Sequence, residues 1–219
     1  MGFFSRRHAP TIESSPAVGP RTSPAASGTA TAVLDPSLVA LTGHWTIDRP
    51  HSRIGFSVRH AMVTTVRGAF SDYRSDLYFD GEQPSRSRAE MVIQVASVDT
   101  GVEQRDAHLV GPDFFDANRH PEMAFRSTST VHVGDDSYRM TGDLTIRGIT
   151  RPVELDLTYL GSVVDPFGFE RAGFDGTTTI DRTDWGLVYN QRLEAGGAMV
   201  SEKIRLQFDI SAIRAAPVA

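Results

Sequence analysis

The sequence predicts an all-β domain of about eight antiparallel strands, and three observations lead there. Hydrophobic residues at 40% and charged residues at 22% suffice for a packed core. From His44 onward, apolar and polar residues alternate with period two, the pattern of strands that bury one face. Turn residues break that alternation at intervals. An even set of such strands is stable either as two packed sheets or as a closed barrel with an apolar interior, and the alternation allows both.

Residues 9–32 are dominated by Ala, Pro, Ser, Thr and Gly, which bury too little to offset the entropy of ordering. Residues 1–42 are therefore expected as a flexible tail and residues 43–214 as the folded domain. Val33-Leu34 and Leu38-Val39-Ala40-Leu41 are a small apolar exception, expected to form at most a short helix against the domain.

The strands follow in order. Ile54, Phe56 and Val58 alternate with Arg53, Ser57 and Arg59, and Met91, Ile93 and Val95 alternate with Glu90 and Gln94. Val153, Leu155, Leu157 and Tyr159 alternate with Glu154, Asp156 and Thr158, and Ile204, Leu206, Phe208 and Ile210 with Arg205, Gln207, Asp209 and Ser211. Residues 66–79, 122–133, 137–147 and 171–180 carry weaker alternation between turns such as Asp80-Gly81, Gly134-Asp135-Asp136 and Arg147-Gly148. One segment differs. Thr100-Gly101-Val102-Glu103 has the spacing of a capping box, in which a Thr hydroxyl and a Glu carboxylate take the first free amides of a helix. It predicts a short helix near residues 102–110, ended by Gly111-Pro112.

Charge and composition exclude several functions. The formal charge of −5 comes from 22 basic and 27 acidic residues, with Lys203 the single lysine, so the chain lacks the clustered cations that a phosphate backbone requires. No nucleic-acid partner is expected. With no cysteine, thiol nucleophiles, disulfides and thiolate metal sites are excluded. Arg6-Arg7 is followed by His8-Ala9-Pro10-Thr11-Ile12-Glu13 rather than by the apolar run of a secretory or twin-arginine signal, so the expected location is cytoplasmic. No stretch is apolar enough to span a membrane as a helix.

A series of blocks resembles one family in order and spacing. Trp45-Thr46-Ile47-Asp48-Arg49-Pro50-His51-Ser52 through His60 is followed by Gly68-Ala69-Phe70 and by Val98-Asp99-Thr100-Gly101 with Arg105-Asp106-Ala107-His108-Leu109. Asp113-Phe114-Phe115-Asp116, Pro121-Glu122-Met123-Ala124-Phe125, Gly142-Asp143-Leu144-Thr145-Ile146-Arg147-Gly148 and Arg182-Thr183-Asp184-Trp185-Gly186 continue it. The domain resembles the YceI family. The resemblance implies an extended, lipocalin-like antiparallel β-barrel around a hydrophobic tunnel, and the non-catalytic binding or transport of a polyisoprenoid lipid or isoprenoid quinone. That molecule would be a ligand; no cofactor is implied. The resemblance also implies pairing into a homodimer, and release of so apolar a cargo implies transient contact with a membrane or a partner.

An eight-stranded barrel is filled by its own side chains or holds one ligand. The tunnel wall is expected from the inward set Ile54, Phe56, Val58, Phe70, Met91, Ile93, Phe125, Leu144, Ile146, Leu155, Leu157, Phe174, Leu206 and Phe208. His60, at a strand end, and Arg105 with His108, three apart on one helical face, are candidates to hold a head group. Trp45 and Trp185 are expected to pack at the barrel ends, and Asp48 and His51 to brace a turn. The competing function is a metal-dependent hydrolase that uses Asp48, His51, His60, Asp106, His108 and His120. The chain has neither an HExxH motif nor paired histidines at i, i+4, and Ser52 lies in a strand pattern rather than at a nucleophile elbow. No catalytic residue and no metal ligand is therefore assigned.

Overall fold

The computed structural model describes residues 36–191 and 198–215. Of the tail expected over residues 1–42, residues 1–35 lie outside the described residues. Eleven strand segments join in one antiparallel sheet among the described residues. They are β1 (Gly43–Ile47), β2 (Arg53–His60), β3 (Thr64–Phe70), β4 (Tyr73–Phe79), β5 (Arg88–Gln94), β6 (Val98–Asp99), β7 (Glu122–Gly134), β8 (Ser137–Ile146), β9 (Ile149–Val164), β10 (Glu170–Asp181) and β11 (Val200–Arg214).

The eleven segments make eight long strands, because the first three strands are each broken once. β1 and β2 lie along the same edge of β11, with Ile47 opposite Ala212 and Ile54 opposite Phe208. The turn between them, Arg49–His51, holds Pro50, which has no N–H to give to a ladder. β4 and β3 pair with β1 and β2 respectively, and β5 and β6 pair with β4 and β3. The three breaks sit side by side: the amide of Asp48 reaches Ser211 O at 2.8 Å and that of Gln94 reaches Asp72 O at 2.9 Å. From β5 on, each strand pairs with the next through β7, β8, β9, β10 and β11, and β11 returns to β1. The result is a closed up-and-down barrel of eight strands.

The segment between β6 and β7 leaves the sheet as α2 (Glu103–Val110) and a loop that buries Phe114. The helix falls where the sequence predicts it, but the capping box does not form. The N-cap is Val102, without a side-chain cap, and Thr100 lies two residues before it. The Thr100 amide and hydroxyl instead donate to the Asp106 carboxylate, the amide at 3.0 Å, so a carboxylate inside the helix satisfies the loop. At the other termini, α1 (Pro36–Val39) precedes β1, and Trp45 and Trp185 are 1% and 2% exposed. Their indole N–H groups donate to Leu41 O at 2.9 Å and Leu144 O at 3.0 Å.

Candidate functional site

Period-two alternation sends every second residue of a barrel strand inward. Val153, Leu155, Leu157 and Tyr159 of β9 accordingly face the lumen, while Glu154, Asp156 and Thr158 are exposed. Every apolar position expected on the tunnel wall, from Ile54 to Phe208, lines one cavity of about 280 Å³. On β11 the wall runs from Val200 to Ile210, about 34 Å of strand at ~3.4 Å per residue, or roughly 26 Å along the axis for strands tilted ~40°. Two inward glycines leave room for rings. A Cβ on Gly68 would lie 2.5 Å from the Phe56 ring, and one on Gly142 would lie 2.5 Å from the Phe125 ring.

The inward side chains do not fill the space they enclose. Phe56, Met91, Phe125, Leu157, Phe174, Leu206 and Phe208 point into the barrel yet are only partly buried, because the lumen between them stays open. The surface of that lumen is almost wholly carbon.

The two ends of the cavity differ. At one end stands Arg182, which is 4% exposed and which sequence reasoning did not single out. Its Nε donates to Ser201 O at 3.0 Å, one terminal nitrogen to Val200 O at 3.3 Å, and the other to Leu187 O. No carboxylate pairs with it within 4.0 Å among the described residues. Burial lowers its pKa, and the charges of Glu202 and Asp181 oppose that shift. The one sequence signal for Arg182 was its membership of the Arg-Thr-Asp-Trp-Gly block; alternation gives no hint of a buried arginine.

The opposite end is made by Leu38, Leu41 and the β4–β5 turn from Asp80 to Ser87. Around it runs a set of ion pairs. Arg171 bridges Asp48 and Asp165, and Arg214 pairs with Glu170. Burial pushes the Asp48 and Asp165 carboxyls up, but hydrogen bonds and charge from Arg171, with His51 added at Asp48 and the Phe167 and Phe169 amides at Asp165, outweigh it and hold both below the ordinary range. The hydrogen bond from Arg214 does the same for Glu170.

The head-group candidates are not brought together. His60 ends β2 on the inward parity of that strand but is not part of the cavity wall. Arg105 turns back on the loop, with Nε 2.7 Å from Thr100 Oγ1 and a terminal nitrogen 2.8 Å from Thr100 O. His108 meets Asp113 at 2.9 Å and packs edge-on against Phe114 and Tyr189. The histidine and aspartate set considered for metal is equally dispersed: His51 lies 2.6 Å from Asp48, Asp106 serves Thr100, and His120 lies beside Gly148. Among the described residues no group of three His, Cys, Asp or Glu is placed to hold a metal ion, and no helix is long and apolar enough to cross a membrane.

The model of the YceI-like domain matches residues 45–212. The chain belongs to that family. A UPF0312 protein of Ectopseudomonas mendocina is 33% identical over 177 residues, covering 80% of this chain and 90% of the relative. Among solved structures, BcnA of Burkholderia cenocepacia superposes with a TM-score of 0.67 at 25% identity, over 75% of this chain and 98% of that one. The YceI protein of Campylobacter jejuni gives 0.63 at 29% identity, over 78% and 98%. A polyisoprenoid binding domain from Saccharophagus degradans shares the fold, with a TM-score of 0.59 at 14% identity over 78% and 98%.

Proposed function

We propose that this YceI-family barrel encloses one long apolar molecule, an isoprenoid lipid or isoprenoid quinone, and performs no chemistry on it. The observation that carries this reading is the open, carbon-lined lumen. An empty apolar cavity costs about 24 cal/mol per Å³, so about 280 Å³ corresponds to roughly 7 kcal/mol, comparable with the whole stability of many domains. A sequence selected for a solid core would close that space with larger side chains; Gly68 and Gly142 instead let the Phe56 and Phe125 rings lie back against the wall. The same fold serves a polyisoprenoid binding domain in Saccharophagus degradans.

Burial at about 0.8 kcal/mol per methylene makes an enclosed chain slow to leave. Exchange would then require transient contact with a membrane or a partner, and the barrels would act as carriers, paired as homodimers. The test is organic extraction of untagged purified protein, followed by mass spectrometry against a mock purification. A stoichiometric isoprenoid or quinone supports the reading. An empty extract, together with failure to take up added polyprenol, contradicts it.

A further inference from the structure

The match to the family model begins at Trp45, yet Leu38 and Leu41, which precede it, line the cavity. Leu41 is 5% exposed, as deeply buried as the barrel's own core. The segment that carries them is fastened at several points. Trp45 Nε1 holds Leu41 O at 2.9 Å, the Gly81 amide donates to Thr42 Oγ1 at 3.1 Å, and Arg214 donates to Thr42 O at 3.0 Å and also to Ala40 O. Arg214 in turn lies 4.5 Å over the Trp45 ring. Gly81 is the seat: a Cβ there would stand 1.6 Å from Leu38 O and 2.8 Å from Val39 N, so only glycine lets the segment close down.

The polar groups at this end are already engaged with one another. Asp80 accepts from the Glu82 and Gln83 amides, Ser87 Oγ accepts from the Asp80 amide, and Thr130 Oγ1 donates to Ser87 O. What this end offers a ligand is carbon. It therefore suits the terminus of an apolar chain rather than its head, whereas the buried guanidinium of Arg182 lies at the far end.

We propose that Leu38 and Leu41 are the end wall of the tunnel and set the longest apolar chain that the barrel accepts. The inference rests on the apolar-carrier reading above. A chain that exceeds the wall must leave methylenes in water, so binding falls once that length is passed.

The experiment is competition binding of farnesol, geranylgeraniol, solanesol and a longer polyprenol to the full chain, read by native mass spectrometry. Wild type is compared with the Leu38→Ala/Leu41→Ala pair and with Gly81→Ala, which dislodges the segment without changing either leucine. Each variant is expected to gain about tenfold in preference for the longest member over geranylgeraniol, a difference well outside measurement error. Phe167→Ala, at an exposed hairpin tip, should leave the preference unchanged. Folded variants that keep the wild-type length preference overturn the end wall and leave the carrier reading standing. Failure of wild type to bind any member overturns both.

Discussion

The two ends of the barrel are closed by opposite chemistry. Arg182 shuts one with a buried cation that ties three carbonyls from Leu187, Val200 and Ser201. Leu38 and Leu41 shut the other with carbon; the Asp80 carboxylate on that end's wall is taken up by the Glu82 and Gln83 amides, and Arg171 with Asp48 and Asp165 and Arg214 with Glu170 stay outside the lumen. Between them the wall is uniformly apolar. A charge in a poorly screened interior acts over a longer range than one in water, so a molecule with a polar head and an apolar tail has a preferred direction in this tunnel.

The contrast can be broken most severely at Arg182. Arg182→Met should lower stability by about 3 kcal/mol or more, since buried carbonyls lose their donors, and a shifted urea midpoint would show it. A loss under about 1 kcal/mol would mean that those carbonyls find other partners and that the arginine does not close its end. A smaller change is expected at the opposite end. Trp45→Phe removes the hydrogen bond to Leu41 O and weakens the stack under Arg214, for a loss of about 1–2 kcal/mol. Faster amide exchange should then appear at residues 38–42 and not at residues 182–187.

Acid supplies the mildest test. Asp48, Asp165 and Glu170 have folded pKa values below their unfolded ones, which lie near ~3.9 for Asp and ~4.3 for Glu. The stability they contribute is complete above those unfolded values and is lost as pH falls through the lower folded ones, so the window lies below about pH 4. At the other end the hydrogen bonds from Thr183 and the charge of Lys203 lower Asp181 too, but Arg182, which ties that end's carbonyls, stays charged throughout that window. Amide exchange at low pH should therefore quicken at the Leu38–Leu41 end before the Arg182 end; the reverse order would assign the acid-sensitive pairs no role in holding that end.

The same contrast explains what was legible in the sequence. The wall was readable because a strand with one buried face writes its orientation into alternate residues, and Ile54, Phe56 and Val58 or Leu155 and Leu157 needed no knowledge of their neighbours. The strand breaks were harder. Residues 66–79 read as one strand, yet the chain bends at Ser71-Asp72, where no glycine or proline announces it. The ends were hardest, because they are built by residues far apart in the chain. Leu41 is held by Arg214 and Gly81 through its neighbours Ala40 and Thr42, and Arg182 by carbonyls of β11. Arg105 and His108 shared a helical face as their spacing implied, but Thr100 and Asp113, close in sequence, engage both. Local alternatives of that kind are invisible to spacing alone.

On the proposed function the lumen is a binding site rather than an imperfect core. Leu155→Trp and Phe56→Trp each place an indole on the wall. The most direct measurement is polyprenol uptake per chain, by native mass spectrometry, in wild type and in Leu155→Trp at matched folded fraction. A site inside the barrel gives one molecule per wild-type chain and none in the variant. Equal uptake by both would place the ligand outside the barrel and contradict it.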